Sequence, residues 1–219
     1  PHRMQELQTL KDRYGFYLLE DACAAIGAEY GGRKVGTFGD MASFSFYFGH
    51  QMSTIEGGMV SASDKQLADM LVILRSHGWS KDLDQTSHQA LVTQHQVDDF
   101  HSPFVFYEPG FNLRSTDLNA FIGIEQLRKL DWMTGRRQAN HERYLRLLGG
   151  RFYTQRPPKG SKVASISFGL LADSTEERRR IVRALVTAGV ETRIFSAGNL
   201  GLHPFWMNRY GKASFPVAD

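Results

Sequence analysis

The stretch FYFGHQMSTIEGGMV, residues 46–60, reads as the end of an apolar strand, a polar loop, and a Gly57-Gly58 turn into a second strand. It sets His50 at the tip of an apolar run, where a chain ordinarily turns to solvent. Working outward, MASFSFYF (41–48) is the strand that leads into it, and FYLLED (16–21) is a short buried strand, apolar until it meets Glu20 and Asp21. Before that, Met4, Leu7 and Leu10 recur at helical spacing, and Gly15 is placed to end the helix. Helix, glycine stop, buried strand and then acid at the strand's carboxyl end is the rhythm of an α/β sheet. In such sheets ligands collect beyond the carboxyl ends of the strands.

Downstream, GGMVSAS (57–63) is a third strand, and Asp64 caps the helix KQLADMLVILRSHG. Residues 79–110 are polar and read as a surface excursion or a substrate-facing loop. His77, His88, His95 and His101 follow one another at intervals of 11, 7 and 6, which match no metal motif. STDLNAFIGIEQLRKLDWM is an amphipathic helix capped by Ser115 or Thr116, and a second helix runs over about 134–148. The chain then changes character: SISFGLL (strand), STEERRRIVRALVTAG (capped helix), VETRIF (strand). This reads as a smaller α/β unit, with residues 1–133 in the larger domain and 134–219 in the smaller.

Composition bounds the function. The 219 residues are 42% hydrophobic and 22% charged, an ordinary globular balance. The net charge of +3 is mild, and the arginines cluster on two expected helices as solvated faces, so a nucleic-acid partner is not indicated. A single cysteine, Cys23, excludes an internal disulfide or a cysteine-held iron–sulfur cluster within the chain and suits a reducing cytoplasm. No apolar run approaches the roughly 20 residues that span a bilayer, and no signal peptide opens the chain, so no membrane role is expected. The chain starts inside a helical pattern without methionine and stops without a closing element, so it is expected to be a piece of a longer protein.

The acid pair has two readings. It caps a helix or a loop, or one carboxylate pairs with a protonated pyridine nitrogen, as in pyridoxal phosphate enzymes. The stretch LLEDACAAIGAEYGGRKVGTFGDMASFSFYFGHQMSTIEGGMV, with GFNLR at 110–114, resembles the DegT/DnrJ/EryC1/StrS sugar aminotransferase family. The resemblance implies an α/β, fold-type I (aspartate aminotransferase-like) pyridoxal phosphate fold. That fold has a three-layer α/β/α large domain and, here, part of a small α/β carboxyl-terminal domain.

Site residues carry over one by one as implications of that resemblance. Asp21 stands where the family's carboxylate pairs with the pyridine nitrogen, and Ser45 where a serine meets the cofactor phosphate. Asn112 stands where an asparagine serves the neighbouring subunit's site, which implies a homodimer with shared active sites. Ala24 stands where the family commonly has a polar residue over the cofactor, and its methyl side chain cannot hydrogen-bond the cofactor's ring hydroxyl. The family's catalytic lysine lies five residues after the serine, and here that position is His50.

Imidazole cannot bond covalently to the cofactor aldehyde as an amine does, but it can move protons near neutrality. Lys34 precedes the strand and Lys65 lies past the Gly-Gly turn, so neither substitutes. The resemblance therefore implies a pyridoxal/pyridoxamine phosphate-dependent 3-dehydratase with non-covalent cofactor and no metal. Its substrate is a nucleotide-linked 4-keto-6-deoxyhexose such as GDP-4-keto-6-deoxymannose, with L-glutamate as amino donor and ammonia released. The setting is cytoplasmic deoxysugar biosynthesis on the route to colitose, an O-antigen (lipopolysaccharide) sugar. The alternatives are a nucleotide-sugar aminotransferase using another base, and an inactive paralogue in which His50 is structural. In VETRIFSAGNLGLHPFW, Arg193 or His203 is a further candidate for substrate contact.

Overall fold

The structure is a computed structural model and describes residues 3–217. In chain order its helices and strands are α1 (Met4–Tyr14), β1 (Leu19–Asp21), β2 (Glu29–Tyr30), β3 (Arg33–Lys34), β4 (Met41–Ser45), β5 (Gly58–Ala62), α2 (Lys65–Arg75) and α3 (Gln85–Gln94). There follow α4 (Asp117–Leu127), α5 (Leu130–Leu148), β6 (Tyr153–Thr154), β7 (Ser161–Lys162), β8 (Leu170–Leu171), α6 (Thr175–Thr187) and α7 (Pro204–Tyr210). The chain forms two compact units: one runs to Leu147 and takes in Arg156–Phe168, the other comprises Leu148–Gln155 and the residues from Gly169 onward. The boundary expected at 133/134 falls inside α5, which stays with the first unit through Leu147.

In the first unit, β1 pairs parallel with β4, setting Asp21 beside Ser43, and β4 pairs antiparallel with β5 from Met41↔Ala62 to Ser45↔Gly58. A second antiparallel sheet has the order β3-β2-β7. Caps fix the flanking helices. Gly15 ends α1 in the left-handed region (φ 68°), the Asp64 carboxylate accepts from Leu67 N at 3.0 Å to start α2, and Thr116 rather than Ser115 caps α4. Ala22, Ile26, Ala28, Phe38, Ala42, Met52 and Ile73 are buried around the sheets.

Several elements differ from the sequence reading. FYLLED is not a buried strand. Only its last three residues pair, and Leu19 is 63% exposed, because β1 is the edge of its sheet and bonds to β4 alone. The 79–110 excursion contains α3, begun by the Asp84 carboxylate accepting from Ser87 N at 3.1 Å. His88 ties it down, with Ser80 Oγ 2.8 Å from Nδ1 and Ser102 Oγ 3.2 Å from Nε2. The residues just before the excursion, 74–78, cross the 107–113 segment backbone to backbone. His77 N donates to Phe111 O at 2.7 Å and Phe111 N to Leu74 O at 2.7 Å. The crossing demands glycine, since a Cβ on Gly78 would lie 1.8 Å from Glu108 O and one on Gly110 2.1 Å from Gly78 N.

His141 on α5 packs edge-on against Phe168, with both ring nitrogens buried and without hydrogen-bond partners. Burial pushes its pKa below the ordinary value of 6.5, although Glu142 acts the other way. The folded state thus resists protonating this ring. Its contribution is complete above pH 6.5 and is lost as the pH falls from there through the folded-state pKa. Replacing His141 with Phe is expected to flatten the fall in stability between about pH 7 and pH 5. Urea unfolding midpoints across that range measure it, and an unchanged slope would deny the ring this role.

In the second unit β6 pairs with β8, and Ser174 caps α6 by accepting from Glu177 N at 3.1 Å. Two strand readings fail here. SISFGLL pairs only at Leu170–Leu171, and VETRIF has no regular structure. Val190 instead closes α6: Gly189 is left-handed (φ 73°), and Val190 N donates to Leu185 O at 2.8 Å, so the helix end takes the residue that would start the strand. β propensity without a neighbouring strand to pair with does not make a strand.

Candidate active site

Neighbouring acids take opposite faces of β1, because side chains alternate along a strand. Glu20, 7% exposed, turns inward; its carboxylate accepts from Gly36 N at 2.8 Å, Phe38 N at 2.6 Å and Gly39 N at 2.7 Å. It organises the glycine-punctuated loop before β4 and is unavailable for chemistry. Asp21 is exposed at the carboxyl end of β1. Its Oδ1 accepts from Cys23 N at 3.1 Å and from Ser43 Oγ at 3.3 Å. These hydrogen bonds, chiefly from Cys23, hold the carboxyl below its usual range, and Ser43 and the charge of His50 act in the same direction. The Cys23 thiol is pushed up, first by burial and then by Asp21, so it stays protonated as a donor.

β4 ends at Ser45, and the chain turns at once. Ser45 Oγ accepts from Tyr47 N at 3.3 Å, and His50 N donates to Tyr47 O at 3.0 Å. Thr54 N donates to Phe46 O and Phe46 N to Gly57 O, both at 2.9 Å, which closes the loop against the start of β5. From α4, Asn119 Nδ2 donates to Thr54 O at 2.7 Å and braces the loop from outside. The His50 ring meets Tyr47 edge-on at 5.7 Å, and its Nδ1 is buried without a hydrogen-bond partner. That nitrogen is not committed to the fold.

Asp21, Ser45 and His50 therefore gather at the carboxyl ends of two parallel, paired strands. Asn112 is held elsewhere, bridging to Ser76 and accepting from Arg114 Nε at 3.4 Å. Lys34 pairs with Glu29 at 2.6 Å, and Lys65 with Asp69 and Asp84 at 2.9 and 2.7 Å, so both lysines are engaged. In the second unit Arg193 is exposed and His203 Nε2 lies 3.0 Å from Ala197 O. The roles of Ser43 and Cys23 escaped the sequence reading. The Asp21↔Ser43 register that brings them together becomes visible only once the strands are paired. Among the described residues no group of three His, Cys, Asp or Glu side chains could hold a metal ion, and no helix is long and apolar enough to cross a membrane.

The family model of the DegT/DnrJ/EryC1/StrS aminotransferases matches residues 1–219. The chain belongs to that family. Among DegT/DnrJ/EryC1/StrS-related proteins it is 33% identical over 202 residues to the GDP-4-keto-6-deoxy-D-mannose 3-dehydratase of Escherichia coli O55:H7, covering 91% of this chain and 51% of that one. Against the Yersinia pseudotuberculosis enzyme of the same name it is 31% identical over 201 residues, again with 91% and 51% covered. A crystal structure of GDP-4-keto-6-deoxymannose-3-dehydratase with a trapped PLP-glutamate geminal diamine superposes with a TM-score of 0.77 at 28% identity, covering 91% of this chain and 52% of that one. The fold is that of the pyridoxal phosphate-dependent, aminotransferase-like proteins. The chain spans about half the length of these relatives.

The residues present suit the family cofactor. An exposed carboxylate held ionised by two donors matches a protonated pyridine nitrogen. The hydroxyl of Ser45 stands at a strand terminus where a phosphate can be met, and no lysine in the loop competes for the aldehyde.

Proposed function

We propose that this chain carries the acid–base part of a pyridoxal phosphate-dependent nucleotide-sugar 3-dehydratase. Its substrate is a nucleotide-linked 4-keto-6-deoxyhexose, GDP-4-keto-6-deoxymannose being the first choice, and glutamate is the amino donor. One observation carries this reading: His50, with its Nδ1 buried and uncommitted, lies in the loop that leaves β4, beyond the strand end that carries the ionised Asp21, at the position that by resemblance is the family's lysine. Likeness to two named 3-dehydratases over 91% of the chain supports it.

When bound in its pyridoxamine form, the cofactor supplies an amine for the 4-keto group and an electron sink that lets the hydroxyl on carbon 3 depart. Asp21 holds the proton on the ring nitrogen. Ser45 receives the phosphate. His50 takes and returns protons at the reacting carbon, a task suited to imidazole near neutral pH. Without a lysine amine the cofactor stays uncoupled from the chain, and elimination outruns simple amino transfer. Asn112 reaches the site of a second copy, making a homodimer with shared sites. The first compact unit forms part of the cofactor domain and the second part of the small domain, and the enzyme works in cytoplasmic deoxysugar synthesis for lipopolysaccharide.

Overall, the sugar loses one oxygen, glutamate becomes 2-oxoglutarate and ammonia is released, which balances atoms and electrons. The whole encoded protein, given pyridoxal phosphate, glutamate and GDP-4-keto-6-deoxymannose, is expected to yield a sugar nucleotide lighter by one oxygen, with ammonia. Mass spectrometry of the product decides. An amino group in place of the keto oxygen would make the protein an aminotransferase, and no conversion would favour a non-catalytic paralogue or another nucleotide.

A further inference from the structure

We infer that Gln51 is a positioning residue for His50. The inference rests on the reading of His50 as the proton-transfer group. Gln51 is 1% exposed, although it lies in a loop beside a candidate catalytic histidine. Its Nε2 donates to Ala24 O and to Ala164 O, both at 2.6 Å. The amide orientation follows from these partners, because the reverse orientation would set Oε1 against two carbonyl oxygens.

The two carbonyls belong to segments far apart in sequence. Ala24 lies in the turn that follows Asp21, closed by Ala25 N donating to Ala22 O at 3.0 Å, and the Cys23 N–H of that turn holds Asp21. Ala164 follows β7, where Val163 N donates to Gln138 of α5. The amide of Gln51 thus joins three segments at once: the His50 loop, the Asp21 turn and the strand that leans on α5.

The other anchors of this loop act at its ends, at Phe46, Thr54 and Gly57, or within it, between Tyr47 and His50. Gln51 is the described hydrogen-bonding side chain next to His50 that reaches outside the loop and fixes it against the acid's own turn. A proton-transfer group displaced by about an ångström loses much of its rate, so this clamp acts on turnover more than on binding.

The test uses the whole encoded protein with Gln51→Met, which keeps volume and removes both donors, and Ile73→Val, a core truncation on α2, outside the loop. Two readouts are taken: backbone hydrogen exchange of the peptide spanning residues 46–52, and steady-state turnover of GDP-4-keto-6-deoxymannose with glutamate. Gln51→Met is expected to speed exchange in that peptide about tenfold. It is also expected to lower kcat by about 10- to 100-fold while KM for the sugar nucleotide changes less than about threefold. Ile73→Val should leave both unchanged at a comparable loss of thermal stability. Wild-type exchange and kcat in Gln51→Met, or equal losses in the two variants, would overturn the inference. If the wild-type protein makes no deoxy product, the functional reading falls by itself, and local exchange alone then decides whether Gln51 clamps the loop.

Discussion

Replacing His50 with lysine is expected to attach the cofactor covalently to the chain. After incubation with pyridoxal phosphate, reduction with borohydride and digestion, the peptide containing position 50 should carry the cofactor mass in His50→Lys and not in the wild-type protein. The reason is chemical. An amine adds to the aldehyde and loses water, whereas imidazole has no primary amine to do so. The lysine would sit five residues after Ser45, in a loop closed against β5 and braced by Asn119, so its reach is set by the same backbone that sets His50. The same variant should lose 3-dehydration by about 10²- to 10⁴-fold, the usual worth of a positioned proton-transfer group. An unmodified peptide in His50→Lys would place this position away from the cofactor and remove the basis for assigning His50 a catalytic role.

The parts of this site that could be read from the sequence were those written as local patterns. Gly15, Asp64 and Thr116 each end or begin a helix through contacts within a few residues, and the structure uses all three in that way. His50, Asp21 and Ser45 were singled out by resemblance, at fixed intervals along one stretch, and the structure sets them at the carboxyl ends of β1 and β4 and in the loop beyond. What escaped depends on residues brought together by pairing. Glu20 and Asp21 read as one acidic pair, yet the strand sends them to different tasks. Nothing local in the sequence singles out Gln51, because its partner at Ala164 lies 113 positions away. The expected strand at VETRIF failed for a related reason: apolar, β-branched residues supply the propensity, but the end of α6 claims Val190 first.

Glu20 gives the largest expected effect on stability. Its buried carboxylate is the common acceptor for three backbone amides, from Gly36, Phe38 and Gly39. Gly36 adopts φ 93°, and a Cβ on Gly39 would lie 2.3 Å from Leu18 O, so this loop cannot easily rearrange to find other partners. Removing the acceptor leaves buried donors without partners, each costing about 1–3 kcal/mol, partly offset by water entering from the loop's open side. Glu20→Ala is therefore expected to lower unfolding free energy by about 3–5 kcal/mol. Glu20→Gln, which keeps the volume and one acceptor oxygen but turns an NH2 toward an amide, should fall by about 1–3 kcal/mol. Glu29, paired with Lys34 near the surface, supplies the contrast, and its change to Gln should cost about 0–1 kcal/mol. Urea unfolding of the three variants ranks them. A Glu20→Ala protein within about 1 kcal/mol of wild type would mean that the loop closes without its carboxylate. Because Asp21 follows directly on the same strand, a loosened Glu20 should also misplace the acid proposed to hold the ring nitrogen. Activity in Glu20→Gln is therefore expected to decline even at temperatures where the protein remains folded.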